Sequence, residues 1–191
     1  MSAPRVAPGT RRDVGPLAWA FAHLSGLVAG TTPPNLFLTL SHQRKLFRGW
    51  LRFAGRLMPG GTLPRRESEL VILRVAHLRG CQYEFDHHVR LGRRAGVDAD
   101  DVTRILAGPS ASGWASRELA ILRAVDMMHE RQDLDDDTWS DLHTHLDDAK
   151  CIELCLLVGH YEMLATAITT LRIQPDLPRH TLPSLRGRRR D

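Results

Sequence analysis

The segment DDAKCIELCLLVGHYEMLATAITTL, residues 147–171, constrains the fold more than any other stretch. It is long, apolar on nearly every side, and interrupted only by Glu153, His160 and Glu162 after its charged start. A helix that is apolar all round must be covered by other elements, so the rest of the chain has to supply a wrapping. The three interruptions mark it as the core or subunit-interface helix of a soluble protein, and no membrane association is expected.

The remaining chain supplies helices and little else. Residues 14–29 read as a short helix stopped by the prolines of TTPPN. Residues 35–58 follow a helical alternation from a possible Asn35 cap to PGG, and read as one helix. LPRRESELVILRVAHLRG opens with a proline suited to a first helical turn, and Leu70 to Ala76 is apolar on nearly all sides except Arg74. Helices follow at about 81–95, at VDADDVTRIL, and over 114–131 and 135–146, the last two with acidic starts. Strand alternation is absent, which predicts an all-α fold. ELVILRVA from Glu69 and ELAILRAV from Glu118 echo each other, but only the first copy is followed by a thiol and histidines.

The formal charge of +4 is carried by the ends. Arg5, Arg11 and Arg12 against Asp13, and Arg186, Arg188, Arg189 and Arg190 against Asp191, leave residues 14–185 close to neutral. No aromatic residues suited to base stacking sit among these arginines, so the tails predict solvated, disordered ends and no nucleic-acid partner. The expected organisation is a basic tail over 1–13, a helical domain over 14–175 and a basic tail over 176–191. No N-terminal signal is expected. Cys81, Cys151 and Cys155 are too few for a disulfide framework and fit a reducing cytoplasm. Cys151 and Cys155 read as core residues, and so does His160.

The chemistry concentrates in GCQYEFDHH, residues 80–88. At about 100° per residue, Cys81, Glu84 and His88 share one helical stripe, with Gly92 leaving room a turn beyond. Tyr83, Asp86 and His87 point elsewhere on that wheel. Gly80 ends the previous helix, so Cys81 stands near a helix start, where a thiolate is stabilised. Glu84 and His88 have the four-residue spacing that lets a carboxylate orient an imidazole. No second ligand cluster accompanies them, so neither a metal nor a cofactor is expected.

RRESELVILRVAHLRGCQYEFDHHVRLGRRAGV resembles the signature region of the carboxymuconolactone decarboxylase family, which includes alkylhydroperoxidase D. The resemblance implies an all-α, oligomeric bundle of the alkylhydroperoxidase D type, a homo-trimer or homo-hexamer. In the hydroperoxidase branch a Glu, a Cys-x-x-Cys pair and a His act together, and Glu69, Cys81 and His88 fall at matching positions. Glu84 stands where the second cysteine belongs. The decarboxylase branch instead carries Glu-x-x-x-His, matched by Glu84 and His88, with Gly80 and Arg90 also in agreement.

Three functions follow as expectations. The preferred one is hydroperoxide reduction by Cys81, with Glu69 and His88 relaying protons and an external thiol reductant closing the cycle, because Cys81 and Glu69 occur together. The second is cofactor-free decarboxylation or isomerisation of a small carboxylated lactone or keto acid by Glu84 and His88. The third is a non-catalytic oligomeric scaffold. Arg74, Arg90 and Tyr83 are the candidate substrate-binding residues.

Overall fold

A computed structural model describes residues 3–178. The elements are α1 (Arg11–Val14), α2 (Pro16–Ala29), α3 (Asn35–Leu40), α4 (Arg44–Leu57), α5 (Arg65–Leu78), α6 (Gln82–Arg94), α7 (Ala99–Ala107), α8 (Ser116–Arg131), α9 (Asp136–His145) and α10 (Asp148–Leu171). Among the described residues the only β-type pairing is an isolated bridge between Thr31 and Pro178, so the fold is all-α as expected.

Helix α5 is the hub. Every residue from Glu67 to Ala76 is buried, and the helix packs against α6, α7, α8 and α10. Its polar residues survive burial because each meets an opposite charge on a neighbour. Arg66 forks onto Asp101 of α7 and reaches Glu118 of α8 at 2.8 Å. Glu67 takes a two-pronged contact from Arg117 at 2.7 and 3.0 Å. Arg74 meets Asp126 at 2.6 and 2.8 Å and donates to the Ile105 carbonyl at 2.7 Å. Gly108, at φ +81°, lies against that guanidinium, where a β-carbon would collide with it. The two echoed sequence segments are thus α5 and α8, packed side by side.

Helix α10 is the second organiser. Leu154, Leu157, Val158, Tyr161, Leu164 and Ile168 join the main core with Val71, Ile72 and Val75 of α5. It is long and apolar enough to cross a membrane by length and composition, but half of its most apolar stretch is buried within the fold. Ile152, Leu156 and Met163 remain exposed on its outer face.

Two expectations are corrected. Residues 35–58 form two helices, and the basic N-terminal segment is docked over residues 3–13. One cause explains both. In an unbroken helix the Leu38 carbonyl would accept the His42 N–H. It instead accepts Gly9 N–H at 3.2 Å, while His42 N–H turns to Thr39 and Ser41 Oγ also bonds Leu38. Arg5 ties the same segment to α10 through the Leu171 and Thr170 carbonyls. Arg44 grips the Arg12 and Asp13 carbonyls. Asn35 caps nothing; it bonds the chain at Gln174 and Asp176. The expected basic tail over 176–191 begins with docked residues, and 179–191 lie outside the described residues.

Removing one partner of the Arg74 pair should be costly, because it strands a buried guanidinium. Asp126→Ala is expected to lower unfolding free energy by about 3 kcal/mol in denaturant titrations. Paired apolar replacement, Arg74→Met with Asp126→Leu, should recover most of that loss.

Candidate active site

Helices α5 and α6 are linked by the tight turn at Gly80, and they run close enough for side chains to meet directly. Gly92 faces both α5 and the turn at Val97, and Val97 is the neighbour that a side chain there would crowd. A β-carbon there would lie 3.2 Å from Val97 and 3.7 Å from the β-carbon of Glu69. Glu69 of α5 and His88 of α6 bond at 2.7 Å, carboxylate Oε2 to imidazole Nδ1. The other imidazole nitrogen, Nε2, lies 3.3 Å from Glu84 Oε2. Glu69 is 0% exposed, while Glu84 and His88 are each 3% exposed. Arg65, one turn before Glu69, contacts its second oxygen at 2.7 Å. The buried pair of carboxylates and the imidazolium are thus joined by the partly exposed Arg65 guanidinium.

The electrostatics follow from that geometry. Burial alone would lower the His88 pKa, but the bonds to Glu69 and then Glu84 outweigh it and raise the value to about 9. His88 is therefore protonated at neutral pH and donates from both nitrogens. Two more histidines stand close by and behave oppositely. Burial, then the charge of His88, pushes His87 down to about 3 and His160 down to about 4. Both stay neutral.

These groups face a cavity of about 350 Å³. Glu84, His88, His160 and Tyr161 line it together with further rings, Phe21, Phe37, Trp50 and Tyr83 among them, and with aliphatic residues such as Leu36, Leu51 and Leu164. The His88 and Tyr161 rings meet edge to face at 5.2 Å. His160 lies 5.9 Å from the Trp50 ring in a stacked arrangement. Tyr83 donates to Asp176 at 2.8 Å. Burial first, and then the neighbouring Asp176, raises its pKa, so the phenol stays protonated.

The predicted residues divide. Glu69, Glu84 and His88 converge as one hydrogen-bonded unit, and Tyr83 lines the same cavity. Cys81 does not. It sits at the N-cap of α6, buried among core residues, and opens on a separate cleft of about 80 Å³ beside His77, Gln82 and Phe85. Burial pushes its thiol up to about 11, against the smaller downward pull of the Glu84 backbone N–H. The expected thiolate-favouring environment is thus corrected: both nitrogens of His88 are engaged by carboxylates. Arg74 is sequestered by Asp126 and cannot reach the cavity. Arg90 is not among the cavity-lining residues.

The helical wheel placed Tyr83 and His87 away from the site, yet both line the cavity. The cavity spans two adjacent stripes of α6, Tyr83–His87–Leu91 and Glu84–His88, so a single-stripe criterion was too narrow. His160, read as core, is also a wall residue; the polar break in an apolar helix was the available signal. Among the described residues no group of three His, Cys, Asp or Glu is arranged to hold a metal ion.

An all-helical bundle with a buried Glu–His–Glu unit beside an apolar cavity is the class that the fold and site define. Residues 44–127, which carry Glu69, Glu84 and His88, match the model of the carboxymuconolactone decarboxylase family. Solved structures share the fold. An uncharacterized peroxidase-related protein from Ralstonia eutropha, described as an alkylhydroperoxidase AhpD core, superposes with a TM-score of 0.77 at 17% identity, covering 91% of this chain and 94% of that one. Another peroxidase-related protein, from a Silicibacter species, gives 0.76 at 14% identity, with coverages of 92% and 90%. The debrominase Bmp8, as a Cys-to-Ala variant in complex with 2,3,4-tribromopyrrole, gives 0.74 at 17%, with coverages of 88% and 90%. No curated protein matches the sequence.

Two outcomes test this electrostatic description. The raised pKa of His88 gives stability that is full below about 6.5 and is lost as pH rises through about 9. The depressed values of His87 and His160 give stability present above about 6.5 and lost as pH falls toward 4 and 3. Unfolding free energy should therefore peak near pH 6.5, and His160→Phe should flatten the acid limb. Alkylation of Cys81 should be slow at neutral pH, with a midpoint near 11 that His88→Ala barely moves.

Proposed function

We propose that the chain is an enzyme of proton transfer, acting without a cofactor on a small cyclic substrate held in the 350 Å³ cavity. The observation that carries this reading is the division of labour at Glu84. Its Oε2 faces protonated His88, while its Oε1 is buried with no partner among the described residues. A carboxylate oxygen in that position removes a proton from a carbon beside a carbonyl group. The electron pair is left as an enolate, and the same proton returns to a second carbon or to oxygen. His88 keeps its positive charge near the developing anion, in a water-poor site where such charge acts strongly. Glu69 and Arg65 hold the imidazolium in place. In the decarboxylating variant the enolate arises by carbon–carbon cleavage, and a proton from the His88–Glu84 unit quenches it.

Hydroperoxide reduction by Cys81 is a second reading, supported by the stabilising N–H groups at the α6 start and by the peroxidase-related fold neighbours. It is less well supported because burial raises the thiol and because His88 is committed to carboxylates. The exposed apolar face of α10 supports homo-oligomeric assembly under either reading.

The mutant ranking separates the two. With cyclic lactones and ketones in D₂O, followed by NMR for exchange and isomerisation, Glu84→Gln should cost about a hundredfold or more and Cys81→Ser little. With alkyl hydroperoxides and a dithiol, the thiol reading requires Cys81→Ser to abolish turnover. Loss of lactone turnover in Cys81→Ser but not in Glu84→Gln would overturn the proposal.

A further inference from the structure

The cavity contains more hydrogen-bonding capacity than the protein itself uses. Four buried polar atoms on cavity-lining residues have no partner among the described residues: Glu84 Oε1, His87 Nδ1, His160 Nδ1 and Trp50 Nε1. Glu84 and His160 are 3% and 5% exposed, so both are withdrawn from the protein surface. Buried polar groups are almost always satisfied, and each exception needs a reason. Of the nine such atoms among the described residues, these four lie on residues of one cavity.

Their chemistry is specific. Glu84 Oε1 is an acceptor and Trp50 Nε1–H is a donor only. The two neutral imidazoles can take either role. A ligand satisfying them must therefore present at least one donor and one acceptor. The surrounding walls favour flat molecules, since Phe21, Phe37, Trp50, Tyr83, His87, His160 and Tyr161 present rings.

Charge narrows the class further. The one cation lining the cavity, His88, already stands between Glu69 and Glu84. Arg65 is paired with Glu69, and Arg74 is held by Asp126 outside the cavity. Arg90, whose Nε is buried without a partner among the described residues, acts on His87 and Asp176 from outside the lining, so a carboxylated ligand would meet Glu84 with no free cation in the lining itself. Desolvating such an anion without a partner is strongly unfavourable.

We infer that the cavity selects an uncharged, planar ring carrying both a hydrogen-bond donor and an acceptor, with the donor on Glu84 and the acceptor on Trp50. This rests on the acid–base reading for the location of the site, and it shifts the expected reaction from decarboxylation to isomerisation. Trp50 becomes a specificity residue that touches substrate without taking part in the proton transfer.

Titration calorimetry with three bicyclic probes tests the inference. 2-Quinolone is neutral and carries both groups, N-methyl-2-quinolone lacks the donor, and 1-naphthoate is an anion of similar size. 2-Quinolone should bind, N-methylation should weaken binding about tenfold, and Trp50→Phe should weaken 2-quinolone several-fold, about the loss of one buried hydrogen bond. Naphthoate should bind at least about tenfold more weakly than 2-quinolone. If Trp50→Phe does not fold, the methylated pair still decides the matter in the native protein. Naphthoate binding as tightly as 2-quinolone, no effect of N-methylation, or no binding of any probe would overturn the inference. Binding in the expected order without any catalysed proton exchange would sink the proposed reaction and leave the ligand class standing.

Discussion

Burying the Glu69 carboxylate completely is the constraint around which the molecule is built. An isolated carboxylate removed from water would become protonated or unfold its surroundings. Here it is flanked by Arg65 on its own helix and by His88 on the next, at 2.7 Å each. The second contact depends on α6 lying close against α5. His88 in turn needs Glu84, since a buried imidazolium has two N–H groups to satisfy. The Arg66, Arg74 and Arg117 forks perform the same task along the remainder of α5, fixing α7 and α8 around it. Charge compensation, more than apolar packing, sets how the neighbours of α5 are placed.

The same constraint explains why the thiol and the imidazole part company. An imidazole that must serve two carboxylates has no nitrogen left for sulfur. Glu84, three residues after Cys81, captures the histidine instead. Cys81 is left as a small apolar residue at the α6 N-cap, packed against the core.

The all-α fold, the burial of α5 and α10, and the convergence of Glu84 with His88 were legible in the sequence, because each depends on helical period and local spacing. Glu69 was reached through its resemblance to a family motif, since no local rule joins residues nineteen positions apart. The break at residues 41–43 was not legible. It depends on Gly9 competing for the Leu38 carbonyl, a contact between distant stretches of chain. Composition likewise misread residues 3–13, where Arg5 bonds the Thr170 carbonyl and Arg44 grips the carbonyls of Arg12 and Asp13. Trp50 and His160 were missed for a related reason: a cavity wall assembled from separate helices leaves no periodic trace in any one of them.

The origin of those walls bears on how such a protein can change. Glu69, Glu84 and His88 all lie in the family-matched stretch of residues 44–127, within two successive helices. Phe21, Leu36 and Phe37 come from before it, and His160, Tyr161 and Leu164 come from after it. Part of the cavity lining is thus written outside the stretch that carries the charged unit, while Trp50, Tyr83 and His87 lie within it. Mutations in α2, α3 or α10 can reshape what enters the cavity while the charged quartet stays intact, so a lineage with this architecture can explore new ligands without first surrendering its chemistry.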